Sequence, residues 1–133
     1  KAELEAREDI LFEQYAGVRN IEALTMIEMA NKMIIPAAVK YTKKLADTVI
    51  AVKEAGADAS VQADMLSEVS GKLAEMKTAV KALEEVTAEA ADAECIKCKA
   101  EEYKDDVMAA MAELRMPKEL WPMPTYGDLV FEL

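Results

Sequence analysis

Between residues 2 and 35, apolar side chains recur at Leu11, Tyr15, Val18, Ile21 or Leu24, and Ile27. This is the spacing of one helix face, and it runs with no Pro and a single Gly to interrupt it. The pattern predicts one long helix. Pro36 lacks an amide donor and its ring crowds the preceding turn, so a bend is expected near Ile35 before the helix continues through Val39, Leu45, Val49 and Ile50. The stretch "EAGADAS" then supplies stop and start signals. Gly56 suits a left-handed C-cap, and Asp58 or Ser60 suits an N-cap.

A second seam follows at Met65 or Leu66, Val69, Leu73, Met76, Val80, Leu83, and Val86 or Thr87, with spacings alternating four and three. It predicts a helix over residues 60–86, about 40 Å long at ~1.5 Å per residue, folded alongside the two-part first segment. Ile96, Ala100, Tyr103, Val107, Ala110 and Leu114 repeat the alternation in a third helix. Its start is placed at Thr87 or Asp92, because no Gly or Pro marks the junction. The expectation is an all-α fold, an antiparallel bundle of about three long helices with the first bent at Pro36, over residues 1–116. Leu11, Val18, Leu45, Val69, Leu73, Met76, Val80, Leu83, Tyr103, Val107 and Leu114 are expected to form its core.

After Leu114 the helical pattern stops. Pro117, Pro122 and Pro124 push the residues before them toward extended backbone, "PTYGDL" reads as a turn, and "LVFEL" as a short extended segment. Residues 117–133 are therefore expected to be an extended, Pro- and aromatic-rich tail. Trp121, Tyr126, Leu129 and Phe131 are too apolar for a solvated terminus, and Pro122 and Pro124 reduce the entropy lost on ordering. These six residues are the candidate docking anchors.

Composition supports the helical reading, since 53% of the residues are hydrophobic with nine Met and only four Gly. A net charge of −10 argues against nucleic acid and against anionic membrane surfaces as partners. No 18-residue apolar run or export signal is present, which fits a cytoplasmic protein. Lys1 in place of Met fits a piece of something longer.

Candidate chemistry is sparse. The chain has no His, which removes Ser/His/Asp and Cys/His nucleophile sets and the E-x-x-H pairs of a ferritin-like di-iron site. Ser60, Ser67 and Ser70 lie on helix-forming stretches without an oxyanion loop. Glu84–Glu85 and the group Glu101, Glu102, Asp105 and Asp106 read as solvated helix faces. Cys95 and Cys98 share a helix face and are able to close a disulfide, but without further ligands a zinc site is incomplete, so their role is read as structural or incidental. Met26, Met29 and Met33 read as core filler rather than an adaptable binding face. No catalytic, cofactor-binding or metal-binding residue is assigned.

Three stretches, "NIEALTMIEMANKMIIPAAVKY", "DDVMAAMAELR" and the terminal "ELWPMPTYGDLVFEL", resemble the C-terminal part of type III glutamine synthetases. "WPMPTYGDL" is the most specific of them, because helix periodicity cannot generate it. The passage from "ELR" to "KELWP" is shorter than the family pattern. The resemblance implies a bacterial enzyme that joins glutamate and ammonia at the expense of ATP, with Mg²⁺ or Mn²⁺, as a dodecamer of two hexameric rings. It implies that the catalytic core lies outside this chain, so that the chain is a structural, non-catalytic helical appendage contacting that core and neighbouring subunits. A different class, an independent acidic helical adaptor or the coiled-coil part of a signalling protein, is suggested by "MLSEVSGKLAEMKTAVKALEEV".

Overall fold

The structure, a computed structural model, describes residues 2–115. They are helical throughout apart from two short connections, and fall into three segments. The first comprises α1 (Ala2–Met29), a single π-helical turn at Ala30–Ile34, and α2 (Ile35–Glu54). The second is α3 (Ser60–Asp92), and the third comprises α4 (Ile96–Glu102), a π-helical turn at Tyr103–Val107, and α5 (Met108–Arg115).

Pro36 widens the first segment rather than breaking it. It occupies the first turn of α2, directly after the π turn, and having no N–H it makes no backbone bond back into that turn. The turn before it relaxes to π geometry, with the Ile35 N–H reaching back to the Ala30 carbonyl. At the other end of α2, Gly56 adopts φ 78°. The Gly56 N–H donates to the Lys53 carbonyl and the Ala57 N–H to the Val52 carbonyl, the paired bonds of a Schellman motif. The Asp58 carboxylate accepts from both the Ser60 N–H (3.0 Å) and its hydroxyl (2.9 Å), so the expected capping residue acts from one position before the N-cap residue, Ala59. α3 runs six residues past the expected end. The third segment is capped at Cys95 rather than at Thr87 or Asp92, with the Cys95 sulfur accepting from the Cys98 N–H.

The turn at residues 55–59 folds the first segment back along α3. Asn31 then lies against α3, its side-chain amide donating to Glu84 (2.9 Å) while its oxygen accepts from Lys77 (3.1 Å). The third segment packs against both α1 and α3. Its seam uses Ala100, Tyr103, Val107, Met111 and Leu114. Met111 takes the place expected of Ala110, four rather than three residues after Val107, while Leu114 keeps its expected place. Ile96 is exposed. On α3, Met76, Val80, Leu83, Thr87 and Ala90 are buried, which continues the four-three alternation.

The core departs from expectation in α1 and in the hairpin. Leu11 and Val18, expected inside, are 65% and 53% exposed. The buried residues here are Ala16 and Ala23 of α1 and Ala30 of the π turn that follows it, seven apart. Alanine lets helix axes approach closely, and a Leu on that face would hold them apart. In the hairpin, Leu45 and Val49 are buried, but Val69 and Leu73 are only half-buried. There α2 has α3 as its packing partner, and among the described residues no third helix covers the pair. Met26 is half-buried, whereas Met29 and Met33 are exposed, so the core-filler reading fails for those two.

Candidate functional site

All six residues read as docking anchors, Trp121, Pro122, Pro124, Tyr126, Leu129 and Phe131, lie outside the described residues. The described surface offers two other features.

The first is a cleft of about 350 Å³ where the start of the third segment meets α1. Glu13, Gly17 and Asn20 line one wall, and Glu94, Lys99 and Tyr103 the other. Tyr103 is 2% exposed, and its hydroxyl donates to Asn20 Oδ1 at 3.0 Å. Burial pushes its phenol above the ordinary tyrosine range. Close by on α1, the Arg19 guanidinium lies 5.2 Å from the Tyr15 ring centroid and bonds Glu22 at 2.5 Å. Hydrogen bonding to Glu22 leads the causes that raise its pKa further. The Tyr103–Asn20 bond ties α1 to the third segment, whereas the contacts of Arg19 with Glu22 and Tyr15 lie within α1. The ionisable side chains that line the cleft, besides Tyr103, are two acids, Glu13 and Glu94, and one base, Lys99.

The second feature is the outer side of α1. Leu4, Leu11 and Val18 form a line seven residues apart, with Ile10, Ile21 and Leu24 flanking it, and each is more than half exposed. From Ala16 onward α1 is thus apolar on two sides, small residues facing the other helices and large ones facing away, whereas residues 3–11 are exposed all round. Periodicity reads both stripes equally well, so the sequence alone did not separate them. The size difference between Ala and Leu was the signal that would have done so.

The remaining candidates stay apart. Cys95 and Cys98 form a disulfide with a Cα–Cα distance of 5.2 Å. Glu84, Glu85, Glu101, Asp105 and Asp106 are exposed and Glu102 half-buried. Ser60, Ser67 and Ser70 are exposed along α3. Among the described residues no group of three or more Asp, Glu, Cys or His is placed to hold a metal ion, and no helix is long and apolar enough to cross a membrane.

Comparison with known proteins gives this surface a context. The family profile described as glutamine synthetase C-terminal domain matches residues 1–53, which are α1, the first π turn and most of α2. Over its full length the chain is 31% identical to a glutamine synthetase of Butyrivibrio fibrisolvens, covering 21% of that protein. It is 25% identical to a glutamine synthetase of Bacteroides fragilis (strain YCH46), with 98% of the chain aligned to 20% of that protein. The chain therefore spans about a fifth of the length of these curated relatives. No solved structure matches it.

Proposed function

The chain is a C-terminal region of the glutamine synthetase family, and from that premise we propose that it serves as a non-catalytic helical appendage of a type III enzyme. The parent enzyme ligates ammonia to glutamate with ATP and Mg²⁺ or Mn²⁺ in the bacterial cytoplasm. Nucleotide, metal and glutamate are bound by the upstream four-fifths of the polypeptide. The appendage is a compact unit of three antiparallel helical segments over residues 1–116, and residues 117–133 dock it. Its partners are the catalytic core and neighbouring subunits in a dodecamer of two hexameric rings, with no nucleic acid and no membrane.

The observation that carries this reading is similarity along the whole chain to about a fifth of two glutamine synthetases, together with the match of residues 1–53 to the family profile described as the C-terminal domain. The chain has no His, and among its described residues no group of three or more Asp, Glu, Cys or His is placed to hold a metal ion. The adaptor reading rests on the alternation in α3, which any helix packed on two neighbours displays.

The test is deletion of residues 120–133 from the full-length protein, followed by measurement of particle size, melting temperature and glutamine formation. Loss of assembly or stability, with helical content kept, is expected. An enzyme of unchanged size, stability and activity would overturn the docking role. Glutamine formation by residues 1–133 alone would overturn the non-catalytic assignment.

A further inference from the structure

We propose that Cys95 and Cys98 are a reversible thiol–disulfide switch, opened and closed by exchange with a cellular thiol, whose state sets the order of the first turn of α4. The proposal rests on the cytoplasmic reading above for a reducing environment, and goes beyond it in assigning a redox reaction to this chain.

Three observations on the pair converge. The two sulfurs are bonded across a sequence separation of 3, with Cα atoms 5.2 Å apart. So short a ring removes little entropy from the unfolded chain, which makes it a weak staple. Both residues are exposed, so an attacking thiolate reaches them without opening the core. In a reducing compartment structural disulfides are rare, and those that form are transient ones that sense or catalyse. The pair is also asymmetric. Cys95 is the N-cap residue of α4 and its sulfur accepts the Cys98 N–H at 3.0 Å, whereas the Cys98 sulfur accepts no such bond among the described residues.

The course of the exchange follows from that asymmetry. A thiolate attacks Cys98 Sγ, the Sγ–Sγ bond breaks, and its electron pair leaves on Cys95 Sγ, where the Cys98 N–H meets the charge. A second thiolate then displaces Cys98 from the mixed disulfide. Two thiols become one disulfide, and the protein gains two electrons and two protons. Reoxidation is the same exchange in reverse, with a disulfide of the same class as oxidant. The charged neighbours along the chain are Glu94, Lys97 and Lys99. Lys97 lies 4.0 Å from Glu101, while Glu94 and Lys99, with Ile96, line the cleft opposite Glu13. The disulfide holds this wall of the cleft covalently, and the dithiol leaves it only the capping bond.

The test equilibrates the full-length protein, without denaturant, in mixtures of reduced and oxidised glutathione, with dithiothreitol alone and oxidised glutathione alone as end points. After an acid quench and alkylation, the peptide carrying residues 95–98 is read by mass. Reversible passage between the two states is expected, with severalfold faster amide exchange over residues 96–99 in the reduced form. A pair that stays oxidised until the protein unfolds, stays reduced in oxidised glutathione alone, or cycles with unchanged amide exchange would overturn the proposal. The asymmetry is read separately. In Cys98→Ser, Cys95 should react with iodoacetamide about tenfold faster than Cys98 does in Cys95→Ser. Equal rates, or a faster Cys98, would overturn the assignment of Cys95 as the leaving sulfur. Glutamine formation by the native protein is assayed in parallel. Glutamine formed while the pair fails to cycle removes the switch and leaves the family reading standing, and a cycling pair without glutamine formation does the reverse.

Discussion

The Tyr103 hydroxyl donates to Asn20 Oδ1 at 3.0 Å, a bond between residues 83 positions apart that ties the third helical segment to α1. Tyr103 is also among the largest fully buried side chains, so one residue supplies both packing and orientation. Tyr103→Phe keeps the ring and removes the bond, and should cost about 0.5–1.5 kcal/mol in urea unfolding. Tyr103→Ala should cost about 3–5 kcal/mol, as truncation of a buried aromatic does.

The same phenol sets a pH dependence. Burial raises its pKa in the folded state, so the folded protein holds the proton more tightly than the unfolded chain. This contribution is fully present below the unfolded value of about 10 and is lost as pH rises through the folded value. Denaturant midpoints measured from pH 9 to 12 should fall more steeply for the native protein than for Tyr103→Phe. Equal slopes would show that the phenol titrates alike in both states.

Leu83 and Leu73 occupy equivalent places in the α3 alternation but unequal environments. Leu83 has zero exposure beneath the third segment, whereas Leu73 is half-buried where α2 and α3 pair alone. Leu83→Ala should therefore cost about 2–5 kcal/mol. Leu73→Ala should cost roughly 1–2 kcal/mol, since less apolar area returns to water. Chemical denaturation of the two variants in parallel checks the order, and a larger loss at Leu73 would contradict the two-helix description of the hairpin.

That pair also shows where the sequence was legible. Alternation in α3 predicted Met76, Val80 and Leu83 as core, because a straight helix between two neighbours turns one stripe inward. Gly56 and Pro36 marked their boundaries, since each acts through its own backbone. What failed depended on partners. Nothing local says that α2 lacks a third neighbour, so Val69 and Leu73 looked as buried as Leu83. Nothing local says which of two stripes on α1 faces inward, so Leu11 and Val18 were assigned to the core that Ala16 and Ala23 occupy. The candidate anchors around Trp121 were read from composition, and they lie outside the described residues.

Two glycines should respond oppositely to alanine. Gly56 sits at φ 78° with open space around it, so Gly56→Ala meets no clash but places a Cβ in the left-handed region. The cost should be about 1–2 kcal/mol. Gly71 lies within α3, also in open space and with an ordinary helical backbone. Gly71→Ala should stabilise by roughly 0.5–1 kcal/mol through a lower entropy of the unfolded chain. Melting curves of the two variants moving in the same direction would contradict the assignment of Gly56 as the cap.

The Cys95–Cys98 disulfide closes a short ring at the start of α4. A loop of this length removes little entropy from the unfolded chain, about 2 kcal/mol at most in the chain-entropy account. Reduction should therefore shift the unfolding midpoint slightly and leave the transition cooperative. The Cys95 sulfur also accepts the Cys98 N–H at 3.0 Å, a capping bond that needs only an acceptor at that position. Cys95→Ser loses the disulfide and retains a capping oxygen, whereas Cys95→Ala loses both and should be less stable than the Ser variant by about 0.5–2 kcal/mol. Hydrogen exchange should localise the difference to the first turn of α4. If both variants proved equally stable, the contribution of Cys95 would lie in the disulfide and not in the cap.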